Sequence, residues 1–330
     1  MLNKYKIIVT ILVLHFFFIG MLPTANSDDS FENWITLYKK KALQKGISKK
    51  TLDLAFNNVK FLEQVIKYDR KQPEFYEDTI TYVNKRANIL RVKTAKKLLK
   101  KNNELFSEIE KKFSVEKEIL LALWGIETNF GKHVGKMDII SCLATLSYDK
   151  RRSEFFSKEL LILLKLIDDD LIDVETLYGS WAGAYGNFQF MPSSIKRYAI
   201  DYDQNNKIEL KTSLNDALAS AANYINKMGW NKDEPCFFRV KLNKPIKKKY
   251  INSSARNISN RLSINEWKKK GIINYNGNEL NTNLTAALIM PDNKPNTPTY
   301  LVFANYERIL KWNRSLRFGI SVCTLANLIK

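Results

Sequence analysis

Glu127 is the residue of this chain whose type and setting point most directly to chemistry. It follows the almost wholly apolar run 119–126 and precedes Gly131, at which the backbone can turn. A carboxylate at the end of an apolar helix usually reaches water with its charged head. In the same setting, removal from water favours the neutral form, so that the carboxyl can hold a proton and give it to a substrate. Glu127 is therefore a candidate general acid, and the rest of the chain must decide between these alternatives.

Helical periodicity surrounds this residue. Phe31, Trp34, Leu37 and Tyr38 share one face of a first helix, and Ser48 is the predicted N-cap of a second. Residues 79–113 predict one or two long surface helices, and the Glu127 helix begins near residue 115. Further helices are predicted over 139–147, 152–167, 214–228, 306–312 and 316–329.

The periodicity changes between residues 233 and 304. The stretches 236–240, 286–290 and 300–303 alternate as short strands do, with Lys- and Asn-rich connections between them. We predict a mainly α fold of the α+β class, with a helical domain at 28–232 and a small β-containing subdomain at 233–304. Residues 305–330 are predicted to be C-terminal helices that return to the cleft of the helical domain.

The N-terminus has the features of a secretory signal peptide over residues 1–27. Lys4 and Lys6 precede the apolar stretch 7–22, and Ala25-Asn26-Ser27 is a small-residue cleavage site. An uncleaved anchor is the alternative, because the stretch is only slightly short for a membrane-spanning helix. No Cys lies near the cleavage site, so we expect no lipid attachment there. The chain is predicted to be exported, with no membrane span after cleavage.

The formal net charge is +19 and the isoelectric point is about 9.6, which favours an anionic partner. Nucleic acid, a membrane surface and acidic cell-wall polymer all meet this condition. The excess is mostly Lys spread along the chain, with no basic stripe that interleaves with aromatic residues. We attribute it mainly to composition and expect no nucleic-acid binding.

Cysteine and histidine are scarce. The three Cys (Cys142, Cys236 and Cys323) are widely spaced, and two of them lie in apolar helical patterns, so we expect free thiols and no disulfide framework. His15 falls in the signal peptide, which leaves His133 alone, and a His-based metal site is therefore not predicted.

Six short motifs occur in the order in which the lytic murein transglycosylase B family has them, and together they resemble that family over roughly residues 30–330. They are 126–131 (IETNFG), 144–147 (ATLS) with Arg151 and Arg152, 179–184 (GSWAGA), 189–194 (QFMPSS), 222–224 (ANY) and 312–315 (WNRS). The resemblance implies a lysozyme-like fold, a periplasmic location and peptidoglycan glycan strands as the partner.

Glycoside cleavage usually requires two carboxylates. The acids that follow Glu127 are Asp138, Asp149 and Glu154, and none lies in an apolar motif, so each is expected to be solvated or a helix cap. The family chemistry needs only one. It implies that Glu127 protonates the oxygen between N-acetylmuramic acid and N-acetylglucosamine, and then accepts the proton of the muramyl 6-hydroxyl as that oxygen attacks C1. A 1,6-anhydromuramyl end forms, and no cofactor is required.

The resemblance also implies the residues that bind substrate, and each has a structural alternative. Ser180 could instead bond to the backbone of its own tight loop, Tyr224 could be an ordinary core residue, and two consecutive Arg are often salt-bridge donors. A cation beside Glu127 would favour the charged form, so the Arg pair should face substrate or a structural acid. The predicted substrate-binding residues are Arg151, Arg152, Ser180, Gln189, Tyr224 and Asn313.

Three aromatic positions depart from the family pattern. Phe155 and Phe318 stand where family members can carry Tyr, and Trp312 replaces a Tyr beside Asn313. Each change removes a phenol hydroxyl and keeps an aromatic face. Stacking on sugar rings should survive, whereas the hydrogen bonds of those hydroxyls are lost.

Residues 201–209 resemble the start of a calcium loop, which some family members carry here, and Asp216 could serve as a later ligand. Asn206 replaces the turn Gly, and Thr212 stands where the loop normally has Glu. An Asx-rich turn without metal is the alternative. The oxygen ligands of a structural calcium ion would be supplied by Asp201, Asp203, Asn205, Lys207 and Asp216.

The leading hypothesis is a monomeric, exported murein-cleaving enzyme. A lysozyme-type hydrolase is the rival within enzymes and differs in the ends it leaves on the glycan. A non-catalytic peptidoglycan-binding protein is the rival of another class, and the retained Glu127, Ser180 and Gln189 argue against it.

Overall fold

The computed structural model describes residues 30–71 and 77–330. The predicted signal peptide at 1–27, with Lys4, Lys6 and His15, lies outside these residues. No helix in the described ranges is both long and apolar enough to cross a membrane.

The first part of the chain is a body of α-helices. They are α1 (Phe31–Gln44), α2 (Lys49–Phe56), α3 (Glu63–Arg70), α4 (Thr79–Arg86), α5 (Ile89–Lys101), α6 (Asn103–Phe113), α7 (Lys117–Thr128), α8 (Ile139–Tyr148), α9 (Ser153–Asp168), α10 (Pro192–Tyr198) and α11 (Leu214–Lys227). Ser48 caps α2 as predicted, since its hydroxyl accepts from the Thr51 N–H. A short ribbon pairs β1 (Met137–Asp138) with β2 (Tyr178–Gly179).

The expectation of one or two helices over 79–113 is wrong, because this stretch forms α4, α5 and α6. Asn88 accepts a bond from the Arg91 N–H and thereby starts α5, and Asn102 ends α5 and begins α6. These Asn side chains offer the backbone an alternative to a continuous helix, while the apolar spacing runs on through both breaks.

The β-containing part follows α11. Its elements are β3 (Phe237–Leu242), β4 (Ile251–Asn252), β5 (Leu262–Ser263), α12 (Ile264–Lys269), β6 (Ile272–Asn274), β7 (Thr285–Ile289) and β8 (Thr299–Val302). The strand order is β4-β7-β8-β3-β6, antiparallel except for β4 with β7. Trp267, Leu288 and Phe303 belong to a separate apolar cluster on one face of this sheet. The domain bounds at 232 and 304 stay a prediction.

The chain then returns to the helical body through α13 (Ala304–Trp312) and α14 (Leu316–Ile329). α14 packs against α7 and α4. The mainly α fold with a small sheet is confirmed.

The expectation of free thiols is wrong for two of the three cysteines. Cys236, just before β3, forms a disulfide with Cys323 of α14, while Cys142 is free and buried. The Cα atoms of Cys236 and Cys323 lie 6.1 Å apart, and the two residues are 87 positions apart in the sequence. The bond ties the sheet to the helix that packs on α7. Nothing local in the sequence marks such a pair.

Candidate active site

Glu127 lies in the last turn of α7, and the helix ends just beyond it. Asn129, Phe130 and Gly131 have φ values of 50°, 60° and 82°. The N–H of Asn129 returns to the Gly125 carbonyl, and that of Phe130 to the Trp124 carbonyl. These left-handed residues terminate the helix and turn the chain away from it, as the glycine was predicted to allow.

Asn187 fixes the end of α7 to a facing loop. Its Oδ1 accepts the Trp124 indole N–H at 2.9 Å, and its carbonyl accepts the Thr128 hydroxyl at 2.7 Å. Its side-chain amide in turn donates to the carbonyls of Leu210 and Lys211. Because these groups are buried and bonded, the turn that carries Glu127 is held rigidly.

Glu127 itself is half-buried, and its described contact is with α13. The indole Nε1 of Trp312 donates a hydrogen bond to Glu127 Oε1 at 2.9 Å. This neutral donor reaches Glu127 from 185 residues further along the chain.

Aromatic rings hold the Trp312 side chain in place. Tyr224 stacks on it with ring centres 4.7 Å apart, and Phe190 meets it edge-on at 5.2 Å. Tyr224 also stacks on Tyr198 at 4.2 Å and donates its hydroxyl to the Lys311 carbonyl. Burial raises the pKa of Tyr224. Tyr224 thus lies one ring away from Glu127.

The loop 178–190 is rich in small residues, and its backbone segments approach one another closely. A Cβ on Gly179 would lie 2.2 Å from the Ala184 carbonyl oxygen. The Ser180 oxygen accepts the N–H groups of Ala182 and Ala184, so the backbone-bonding alternative for this residue is what the structure shows. These bonds use the oxygen as an acceptor only, and the hydroxyl hydrogen can still be donated.

Gln189 adopts a left-handed backbone with φ of 52° and is half-buried between two buried Phe residues. Its Nε2 donates to the carbonyls of Val134 and Gly186. Both donors of the amide are used, so its oxygen is left to accept from a ligand.

A cavity of about 1000 Å³ lies between the helical body and a loop of the β-containing part. Asn313, at the C-terminal end of α13 next to Trp312, lines it together with Trp181. Arg152 and Phe155 line it from α9 and the turn before it, and Phe155 is 47% exposed. Phe318, the other Tyr-to-Phe departure, is instead buried in the core.

Arg151 and Arg152 face a structural acid, one of the two outcomes predicted for them. Asp69 of α3 is only 2% exposed and pairs with both Arg residues and with Arg70. Arg151 Nε donates to Asp69 Oδ2 at 2.6 Å. Arg152 also borders the cavity, and its buried Nε has no hydrogen-bond partner among the described residues.

The other acids near Glu127 in sequence have structural roles, as expected. Asp138 caps α8 through the Ser141 N–H, and Asp149 accepts three bonds from the guanidinium of Arg70. Glu154 is exposed and pairs with Lys158. The guanidinium of Arg70 lowers the pKa of Asp149.

Three of the five predicted calcium ligands come together. Carboxylate oxygens of Asp201, Asp203 and Asp216 lie within 4.8 Å of one another. Burial raises the pKa of Asp216, opposed by backbone bonds from Glu209 and Tyr202, and the charges of Asp203 and Asp201 raise it further. A divalent cation would relieve this repulsion, so these three residues fit an oxygen-ligand site.

The remaining two residues fit less well. The Lys207 ammonium pairs with Asp170 and Asp173, which leaves only its carbonyl for a metal. The Asn205 amide oxygen accepts the Lys207 N–H.

Sequence reasoning missed Asp69, Asn187 and the donor role of Trp312. Asn187 lies two residues before Gln189 in a predicted cleft loop, and that position was an available signal. Asp69 lies 82 residues before its Arg151 partner, and no local pattern marks it.

The family model for the transglycosylase SLT domain matches residues 30–327. Membrane-bound lytic murein transglycosylase B of Escherichia coli (strain K12) is 43% identical over 123 residues, which are 37% of this chain and 34% of that protein. The matched segment thus spans about a third of that relative.

Solved structures match over most of the chain. SltB3 from Pseudomonas aeruginosa in complex with NAG-NAM-pentapeptide has a TM-score of 0.83 and 34% identity, covering 90% of this chain and 79% of that one. The same protein with NAG-anhNAM-pentapeptide has a TM-score of 0.82. Escherichia coli Slt35 in complex with calcium has a TM-score of 0.76 and 26% identity, covering 90% and 92%. The predicted lysozyme-like fold is confirmed.

Proposed function

The chain belongs to the transglycosylase SLT domain family and within it to the lytic transglycosylase B family, and from this premise we propose that it is a peptidoglycan lytic transglycosylase. It cleaves the β-1,4 bond between N-acetylmuramic acid and N-acetylglucosamine and leaves a 1,6-anhydromuramyl end. The observation that carries the proposal is Glu127, a half-buried carboxyl on a rigid apolar helix with a neutral hydrogen-bond donor.

Glu127 acts first as an acid and then as a base. Its proton passes to the glycosidic oxygen as the bond from that oxygen to C1 breaks. The muramyl O6 then forms a bond to C1 and returns its proton to the Glu127 carboxylate. No water is consumed, and the enzyme ends in its starting state. The nucleophile belongs to the substrate, which agrees with the structural roles of Asp138, Asp149 and Glu154.

The substrate occupies the cavity lined by Arg152, Trp181 and Asn313. The Ser180 hydroxyl hydrogen and the Gln189 amide oxygen supply one donor and one acceptor for sugar hydroxyl and acetamido groups. Arg152 lines the cavity and can contact the substrate there, whereas Arg151 acts mainly as a structural partner of Asp69. SltB3, which matches this chain, binds NAG-NAM-pentapeptide and NAG-anhNAM-pentapeptide, and this supports a muropeptide substrate.

Export would bring the enzyme to its substrate. The predicted signal peptide supports it, and so does the disulfide between Cys236 and Cys323, because such bonds persist in oxidising compartments such as the periplasm. We expect the exported enzyme to act as a monomer.

We also propose that a structural calcium ion is held by Asp201, Asp203 and Asp216, and Slt35 with calcium is a matching structure. Calcium would stabilise the folded chain by about 2–3 kcal/mol at a hundredfold excess over its dissociation constant. Thermal unfolding after EGTA treatment, with and without CaCl₂, measures this. Asp203→Asn should abolish the gain and Asp173→Asn should keep it. An equal gain in both variants would refute the site.

The acid is tested by Glu127→Gln on purified murein. We expect solubilisation of murein to fall by about 10³-fold, because the amide has no proton to give, while binding to murein persists. Glu118→Gln on the same helix is the matched control and should retain activity. Unchanged activity of Glu127→Gln would refute the role of Glu127, and a wild-type protein that binds murein without releasing sugar would be a binding protein instead.

A further inference from the structure

We infer that Trp312 is a positioning residue whose indole N–H orients the carboxyl of Glu127 and assists its transfer of the catalytic proton. The inference rests on the proposed function only in taking Glu127 as the acid. It applies whichever end the reaction leaves on the glycan.

The hydrogen bond between Trp312 and Glu127 has a fixed donor and a fixed acceptor. Trp312 Nε1 lies 2.9 Å from Glu127 Oε1. An indole N–H can donate but cannot accept, so Oε1 must serve as the acceptor in this bond. The carbonyl oxygen of a neutral carboxyl accepts better than its hydroxyl oxygen does. Taken by itself, this bond favours the proton on the other carboxyl oxygen, Oε2.

The same bond becomes stronger during the reaction. As Oε2 gives up its proton, negative charge develops on Glu127 and is shared with Oε1. A hydrogen bond to a charged acceptor is stronger than one to a neutral acceptor. Trp312 thus stabilises the carboxylate as it forms and assists the transfer of the proton.

The position of the indole is fixed by its surroundings. Tyr224 stacks on one face at 4.7 Å, and Phe190 and Phe188 pack edge-on at 5.2 and 6.2 Å. The turn that carries Glu127 is fixed through Asn187. The indole N–H and the Glu127 carboxyl are therefore held in place before the reaction begins. A preorganised hydrogen bond of this kind contributes most to the rate.

Trp312 is one of the three aromatic positions that depart from the family pattern. The sequence shows Trp312 where family members carry Tyr, and that change alone implied the loss of a hydrogen bond. The indole N–H replaces the phenol O–H as a donor. The indole N–H can only donate. A phenol oxygen can also accept a hydrogen bond, so a phenol would be compatible with a proton on either oxygen of the Glu127 carboxyl.

Steady-state kinetics on soluble muropeptide glycan strands test the role. Trp312→Phe keeps a ring and removes the donor, and we expect kcat to fall by about 10–100-fold with KM within about threefold. Trp312→Tyr restores a donor and should recover most of kcat. Trp34→Phe, at a remote stacked pair in α1, is the matched control and should leave both constants unchanged. Thermal unfolding shows that each variant is folded.

The outcomes separate the two proposals. Wild-type turnover together with loss in Glu127→Gln establishes the acid independently of Trp312. Against that background, a Trp312→Phe enzyme with unchanged kcat overturns the positioning role. A Trp312→Tyr enzyme no better than Trp312→Phe also overturns it, because ring size rather than the donor would then account for the loss.

Discussion

Two carboxylates of this protein, Glu127 and Asp69, have opposite surroundings. Asp69 is 2% exposed and is paired with the guanidinium groups of Arg70, Arg151 and Arg152. Glu127 is half-buried and accepts a bond from the uncharged indole of Trp312. Both lie on helices of the same body, and both have partners that come from distant parts of the chain.

One fold thus gives two different sets of partners to the same functional group, the carboxyl. Asp69 pairs with three guanidinium groups and orders the Arg151 and Arg152 side chains at the edge of the cavity. The indole of Trp312 adds no charge, so it favours the carboxylate form of Glu127 less strongly than a guanidinium would. Glu127 can therefore give up a proton and take it back.

The largest effect is expected from giving Glu127 a partner of the Asp69 kind. Trp312→Arg keeps a planar group that can stack on Tyr224 and introduces a cation. The cation favours the carboxylate, so we expect kcat at neutral pH to fall by about 10³-fold and the activity optimum to move to lower pH. A pH–rate profile of a variant with normal circular dichroism measures this. Wild-type activity at neutral pH would break the comparison.

The converse change neutralises Asp69. Asp69→Asn removes the buried carboxylate that three partly exposed Arg side chains share, and we expect the free energy of unfolding to fall by about 2 kcal/mol in denaturant titrations. Asp53→Asn is the control, because Asp53 pairs with Lys39 and Lys49 on the surface and should change stability by less than about 1 kcal/mol. Equal effects of the two variants would show that Asp69 does not anchor the Arg cluster.

A smaller effect is expected where the Asp69 cluster borders the cavity. Arg152→Gln removes one guanidinium and its unbonded Nε, and we expect KM to rise about fivefold while kcat changes less than about twofold. Lys158→Gln, in the helix α9 that follows Arg152, removes an exposed cation and serves as the control. A loss confined to kcat would assign Arg152 to the chemistry rather than to binding.

The smallest effect is expected for Asp168, whose partners are two residues with hydroxyl groups and one Lys. Hydrogen bonds from Ser48 and Thr51, with Lys165 nearby, lower the pKa of Asp168 from 3.8 to about 2. Because the folded state holds the lower value, this contribution to stability is present above pH 4 and is lost as the pH falls through 2. Asp168→Asn should lower Tm by about 2 °C at pH 7, and the difference should vanish near pH 2. A difference independent of pH would contradict this account.

Most of the fold could be predicted because its signals are local. The cap at Ser48, the bounds of α8 and α9 and the strands near 237, 286 and 300 follow from periodicity and capping residues. The disulfide between Cys236 and Cys323 could not be predicted, because it joins residues 87 positions apart on a strand flank and a helix. The breaks at Asn88 and Asn102 were hidden by apolar spacing that continues through them.

The candidate site divides in the same way. Glu127 was a candidate because of its apolar run, and the family resemblance implied Ser180 and Gln189. Asp69 and the indole of Trp312 were not, because each acts on residues more than 80 positions away. The partners of these two carboxyl groups come from distant parts of the chain, so they have to be read from the structure.

The central claim is that one carboxyl serves as acid and then as base while the substrate supplies the nucleophile. Digestion of purified murein, followed by mass spectrometry of the released fragments, tests it most directly. The account predicts muropeptides with 1,6-anhydromuramyl ends, each lighter by one water than its hydrolysed counterpart. Fragments that carry only reducing ends would contradict it, because water rather than the muramyl 6-hydroxyl would then be the nucleophile.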